Sequence, residues 1–284
     1  MTNGRCQHRR VQTPPKYLEQ IVVSRIAWID AFTNQAFAGN PACVCLDDKR
    51  RSATWMQQMA REMGASETAF LQSEKQPYPL RWFAPLAEVD LCGHATLAAA
   101  HVIWEIGLEN ANVSIEFRTR SGSLHAKKNG DWVDLDLPTI QNFPVELHPD
   151  WVSVLGSKPT TVARAGSDYL VELDSERAVR ELRPNFEILS RIGRGGLIVT
   201  SRADSSQWDF VLRYFDPQMG IEEDPVTGSA HCSLVPFWAR RLNKSEFVAY
   251  QASDRGGTVR ARLCLDRVIV SGRAVTVAIG ELFA

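Results

Sequence analysis

Three stretches of this chain put reactive side-chain types where a reaction could use them. Ser66-Glu67-Thr68 sets a carboxylate directly before the apolar run Ala69-Phe70-Leu71. A glutamate entering a strand that heads into a core is unusual. It is either a solvated or capping carboxylate, or a desolvated one whose pKa climbs toward the operating pH, as a general acid/base requires. Cys92-Gly93-His94 opens a helical pattern. A thiol at a helix N-terminus has a lowered pKa and could serve as nucleophile or base. His94 either binds a substrate or caps the helix, and the positive helix end favours its neutral form. The stretch Glu222 to Ser229 runs from acidic to turn-forming. It is either an Asp-Pro turn with a serine N-cap, or it sets Asp224 and Ser229 at the mouth of a second helix, facing His94. Asn40, after Phe37-Ala38-Gly39, either hydrogen-bonds a substrate or fixes its own turn. Cys232, one turn into the second helix, reads as a core thiol.

The elements that must position these residues follow from periodicity. Strands are expected over 26–30, 42–46, 68–71 and 80–83, with a helix from Trp55 to Met63 stopped by Gly64. A second helix carries the stripe Ala95, Leu97, Ala98, Val102, Ile103, Ile106 and ends at Gly107. Strands over 115–119, 123–127 and 132–137 follow, the last two joined by the hairpin pair Asn129-Gly130. After the proline-bounded segment 138–144 the pattern restarts. Strands are expected near 168–173, 196–200 and 210–215, helices near 177–192 and 229–242, and closing strands over 258–263, 267–270 and 274–279.

The restart is a repeat. Leu80-Arg81-Trp82-Phe83-Ala84-Pro85 resembles Leu212-Arg213-Tyr214-Phe215-Asp216-Pro217, 132 residues on. Gly93-His94-Ala95 resembles Gly228-Ser229-Ala230, and Gly122 to Ala126 resembles Gly257 to Ala261, both 135 residues on. The second copy thus carries a three-residue insertion. An α+β fold of two similar domains related by a pseudo-twofold follows, with a site where they meet. Each copy starts a helix with a glycine and a small or polar residue, and two helix N-termini facing one cleft would hold an anion and stabilise an enolate-like charge. Cys92 is matched by Thr227, so no second thiol faces it. The shorter spacing matches Glu67 with Val199, so an acid/base there acts alone.

Composition limits the rest. The 284 residues carry a net charge of -1, which gives no support to bulk nucleic-acid binding. No apolar run reaches membrane-spanning length. Residues 1–20 are polar and basic, lack the apolar middle of a secretory signal, and read as a disordered leader. The six cysteines form no Cys-x-x-Cys pair and no zinc framework, so reduced cytoplasmic thiols are expected.

Taken together, these motifs resemble the phenazine-biosynthesis (PhzF-like) family. Asp30-Ala31-Phe32-Thr33, Phe37-Ala38-Gly39-Asn40-Pro41, Ser66-Glu67-Thr68, Arg81-Trp82-Phe83, Cys92-Gly93-His94-Ala95-Thr96, Glu223 to Ala230 and Ser271-Gly272-Arg273-Ala274 fit its pattern in order, from about residue 22 to the end. The animal phenazine-biosynthesis-like-domain proteins are especially similar. The resemblance implies the diaminopimelate epimerase-like fold, with a last strand, about 275–284, returning to the first domain; the boundary read from the proline-bounded segment gives domains over 21–138 and 139–274. It implies an isomerase without cofactor or metal that moves a proton on a small carboxylate substrate. Glu67 is then the catalytic acid/base, supported by His94 and Asp224. Asn40, Gly93, Ala95, Gly228, Ser229 and Ala230 are the expected substrate contacts, and a homodimer is expected by analogy. Two other functions stay open: an epimerase or racemase using Cys92, and a non-catalytic small-molecule-binding module.

Overall fold

The computed structural model describes residues 24–146, 150–192 and 195–283. The expected leader over 1–20 lies outside the described residues. Strands β1 (Ser24–Ala31) and β2 (Asn40–Asp47) form an antiparallel pair. Helix α1 (Ala53–Met63) starts where the Ser52 hydroxyl accepts from the Trp55 N–H, and stops at Gly64, which takes the left-handed conformation at φ 65°. It leads into β3 (Glu67–Gln72), parallel to β2, and then β4 (Tyr78–Phe83) and the short β5 (Glu88–Val89). Helix α2 (Gly93–Glu105) crosses to β6 (Ile115–Thr119), parallel to β4, and the meander closes with β7 (Gly122–Asn129) and β8 (Trp132–Pro138).

The second half repeats this plan. It comprises β9 (Asn142–Pro144), α3 (Asp150–Leu155), β10 (Thr161–Ala165), β11 (Asp168–Glu172), α4 (Glu176–Glu181), α5 (Phe186–Ile192), β12 (Leu197–Arg202), β13 (Phe210–Asp216), β14 (Ile221–Asp224), α6 (His231–Leu242), β15 (Glu246–Gln251), β16 (Gly257–Cys264) and β17 (Arg267–Gly272). The β10-β11-β12-β13-β15-β16-β17 pairings reproduce, sense for sense, those of β1-β2-β3-β4-β6-β7-β8. The final strand, β18 (Ala274–Leu282), pairs antiparallel with β1 as β9 does with β10. The halves are joined where β8 pairs antiparallel with β17. This is the α+β, diaminopimelate epimerase-like fold with two pseudo-symmetric domains.

Each half wraps its sheet around one helix. Helix α2 is buried along nearly its whole length, and Ala95, Ala98, Ala99 and Ala100 let β1, β2, β3 and β8 approach it. Helix α6 buries its first two turns against β16, β17 and β9 and exposes Arg240 at its end. Helix α1 covers the outer face of β3 and β4 through Met56, Met59, Phe70 and Phe83. The corresponding outer face of the second half is covered by α3, α4 and α5.

Two expected elements are corrected. The helix over 177–192 is two helices, because Pro184 removes a backbone donor and breaks the run. The helix expected from Ser229 begins at His231, after a turn over 228–230, so Ser229 is not its N-cap. No helix among the described residues is long and apolar enough to cross a membrane.

Candidate active site

The two helix starts meet. A methyl added to Gly93 would sit 3.0 Å from the Gly228 Cα and 3.1 Å from the Ser229 nitrogen. One added to Gly228 would sit 2.8 Å from the Phe32 ring. Only glycine allows the two backbones to abut here. The start of α2 and the turn over 228–230 that leads into α6 therefore meet at one space, while the first-turn N–H groups of α6 itself donate to the carbonyls of Gly228, Ser229 and Ala230. That space is a cavity of about 500 Å³, lined by residues of both halves that include Glu67, Cys92, Gly93, His94, Asp224 and Ser229.

Glu67 is the first residue of β3, and its side chain is 14% exposed. Its Oε2 lies 3.4 Å from Nε2 of His94, which is 2% exposed. Both atoms are buried and lack a hydrogen-bond partner, so they face each other without the geometry of a bond. Cys92 Sγ approaches the other ring nitrogen, Nδ1, at 3.5 Å. Burial first, and then the Asp224 charge, push the Glu67 pKa well above the ordinary carboxylate value. Burial pulls the His94 pKa down, with Asp224 opposing. His94 is neutral at pH 7, as expected, but through desolvation. The Cys92 thiol is pushed well up, by burial and then by Glu67. The activated thiol expected from its helix position is therefore corrected, because desolvation outweighs the helix end.

Asp224 ends β14 and is gripped from both halves. The Asn40 side-chain amide donates to Asp224 Oδ1 at 2.7 Å and to the Val226 carbonyl at 2.8 Å. The Thr227 hydroxyl donates to Asp224 Oδ2 at 2.5 Å. Buried Gln251 ties the loop, donating to the Asp224 carbonyl at 2.7 Å and accepting from the Thr227 N–H at 2.7 Å. Asn40 is fully buried and does not line the cavity. The structure therefore sets it behind Asp224, rather than in the substrate-contacting position read from the sequence. Ala95 and Ala230 are buried in their helix starts and also do not line the cavity.

Sheet register corrects the partner of Glu67. Phe83 faces Thr68, whereas its repeat mate Phe215 faces Leu197. Thr68 thus corresponds to Leu197, and Glu67 to Gly196, not Val199. Trp82 faces Val89 and Tyr214 faces Asp224, so Asp224 has an apolar mate.

The cavity lining also includes Asp168, Tyr214 and Asp216, which the sequence did not single out. Asp168 accepts from the Gly196 N–H at 3.0 Å and from the Tyr214 hydroxyl at 3.3 Å. Asp216 has a buried Oδ1 without a partner, and burial raises its pKa to about 6. The repeat carried a signal for two of them, since Tyr214 and Asp216 replace the apolar Trp82 and Ala84.

Comparison with known proteins agrees with this architecture. The family model described as phenazine biosynthesis-like protein matches residues 29–280. An uncharacterized isomerase of Halalkalibacterium halodurans is 52% identical, over 89% of this chain and 96% of that one. The mouse phenazine biosynthesis-like domain-containing protein 1 is 40% identical, over 90% of this chain and 97% of its own. A PhzF-family crystal structure from Enterococcus faecalis superposes with a TM-score of 0.86 at 39% identity, covering 93% of this chain and all of that one. A probable proline racemase from Agrobacterium radiobacter shares the fold alone, with a TM-score of 0.67 at 10% identity over 91% of this chain and 92% of that one. The family and fold are isomerase- and epimerase-like, and this chain belongs to the phenazine biosynthesis-like (PhzC-PhzF) family.

Proposed function

We propose that this chain is a cofactor-independent isomerase that moves a proton on a small carboxylate substrate, with Glu67 as the single acid/base. One observation carries the reading: Glu67 Oε2 and His94 Nε2 stand 3.4 Å apart, buried and unpartnered, in a cavity on which two helix starts converge. The helix-start N–H groups and Ser229 hold the substrate carboxylate and stabilise negative charge as a proton leaves the neighbouring carbon. Glu67 takes that proton and returns it to another carbon on the same face. Its raised pKa makes it the stronger base that the first half of the cycle needs, and in the second half the carbanionic carbon, more basic still, takes the proton back. Neutral His94 and the clamped Asp224 fix its position and that of the substrate.

A two-sided epimerase needs a second base on the opposite face. Thr227 stands where a second thiol would be, and Cys92 is held as a neutral thiol by burial. The deciding experiment is hydrogen exchange in heavy water against aromatic and amino-acid carboxylates. Glu67→Gln is expected to keep ligand binding and to lose deuterium wash-in by roughly 10²–10⁴-fold or more. Undiminished exchange in that variant would refute the assignment. Binding without exchange for every ligand would favour a binding module.

A further inference from the structure

We propose that Glu67, Cys92 and His94 also form a binding site for a borderline divalent cation, with Zn²⁺ the expected ion, and that its occupancy shuts the active site. The shutting of the site rests on the isomerase reading; the binding does not. Among the described residues this is the one trio of carboxylate, thiol and imidazole whose ligand atoms all lie within 4.8 Å of one another. Zinc bonds of about 2.0–2.1 Å to oxygen and nitrogen place two tetrahedral ligands roughly 3.4 Å apart. Glu67 Oε2 and His94 Nε2 are separated by 3.4 Å. Both atoms are buried without a hydrogen-bond partner, so a cation would supply what each lacks. His94 is 2% exposed and held in the first turn of α2, and Cys92 is the N-cap of that helix; its thiol, 3.5 Å from Nδ1, has to turn toward Nε2 to complete the set.

The donor set selects the ion. One sulfur, one nitrogen and one carboxylate suit zinc, whereas calcium and magnesium want six or more oxygens. Three protein ligands leave a fourth position on the cavity side, which is also the route of entry. The cation binds the thiolate, and the Cys92 proton leaves to solvent. No redox change is involved. A bound cation engages the Glu67 lone pairs that would accept the substrate proton. The second half offers an internal control: the corresponding residues are Gly196, Thr227 and Ser229, with no thiol, imidazole or carboxylate among them.

The test uses the full chain, stripped by a chelator, kept reduced with a phosphine, and titrated with Co²⁺. A thiolate-to-cobalt charge-transfer band with intense four-coordinate visible bands is expected at one equivalent, and Zn²⁺ should bleach both. Cys92→Ser should abolish the charge-transfer band. A band that survives unchanged would place the metal on another thiol and overturn the site, as would no band in the wild type. If Cys92→Ser does not fold, Glu67→Gln keeps every thiol. It should bind Zn²⁺ more weakly by at least the roughly 10–100-fold that outer-sphere partners carry, and unchanged affinity would again overturn the site. Zn²⁺ should stop deuterium wash-in and a chelator should restore it; exchange that continues at saturating Zn²⁺ refutes the inhibition. A cobalt band in a chain that never exchanges would sink the isomerase reading alone. Exchange without a cobalt band would sink the metal site alone.

Discussion

Arg81 grips Glu88 through two nitrogens, at 2.7 and 2.8 Å, and Arg213 grips Glu223 in the same way, at 2.6 and 2.7 Å. The likeness extends to the central helices. Thr96 donates its hydroxyl to the Cys92 carbonyl, and His231, its repeat mate, donates Nδ1–H to the matching carbonyl of Thr227. The reacting atoms are not repeated. Glu67 is matched by Gly196, Cys92 by Thr227, His94 by Ser229, and Asp224 by Val89. The frame is double and the side chains at the candidate site are single. In the proposed reaction the doubled frame supplies two helix ends for one anion, while unmatched side chains let a proton leave and return on one face.

The two arginines offer the sharpest break. Arg213 is 7% exposed at its side chain and also donates to the Val179, Arg180 and Leu182 carbonyls at the end of α4. Arg81 is 34% exposed and serves Glu88. Arg213→Met should cost about 3–5 kcal/mol in urea unfolding, because it strands Glu223 and three carbonyls. Arg81→Met should cost about 0–1 kcal/mol. Equal losses would show that burial has not separated the two copies.

His231 and Thr96 make the next test. Burial holds the His231 pKa at about 4, below its usual 6.5. As pH falls below 6.5 the unfolded chain takes up the proton first, so stability is lost between pH 6.5 and 4. The full loss is roughly 3 kcal/mol, and His231→Gln should remove it from a pH series of unfolding midpoints. Asp216 acts in the opposite sense. With its pKa raised from 3.8 to about 6, its contribution is whole below the lower value and is lost as pH rises through the upper one. That window overlaps the one of His231 with the opposite sign, so Asp216→Asn should steepen the loss of stability as pH falls from about 6 to 4, whereas His231→Gln should reverse its direction.

The smallest expected effect probes the join between the halves. Asn40→Ala removes the cross-half donor to Asp224 and Val226 and should cost about 1–3 kcal/mol. In an exchange assay it should lower turnover more than substrate affinity, because it frees Asp224 without touching the cavity wall. A change confined to affinity would return Asn40 to the substrate-contacting role.

Much of the fold was legible because the core is patterned. The helix stripe from Ala95 to Ile106 and the hairpin at Asn129-Gly130 carry their own periodicity and turn chemistry. Strands β10 and β15 and helix α3 were not visible. Thr161 to Ala165 mixes an arginine into five residues, and Asp150 to Leu155 is too short to show a helical period. The site was legible as motifs but not as geometry. Two distances along the chain suggested an insertion, yet sheet register was needed to replace Val199 by Gly196 as the mate of Glu67. The Cys92 thiol shows the same limit, since helix position pointed one way and burial, which the sequence does not display, decided the other.

The first strand waits for the last. Ser24 lies opposite Leu282, and β1 and β18 pair along their whole length apart from one irregularity beside Trp28. On a ribosome, the β1–β2 pair therefore emerges with its β1 flank bare and stays so until β18 has been made. Contacts of such sequence separation are late and slow to form, and a bare strand flank is a template for pairing with another chain. A nascent chain stalled near residue 270 should expose that flank to chaperones, and a product cut there should aggregate rather than fold as an independent first half.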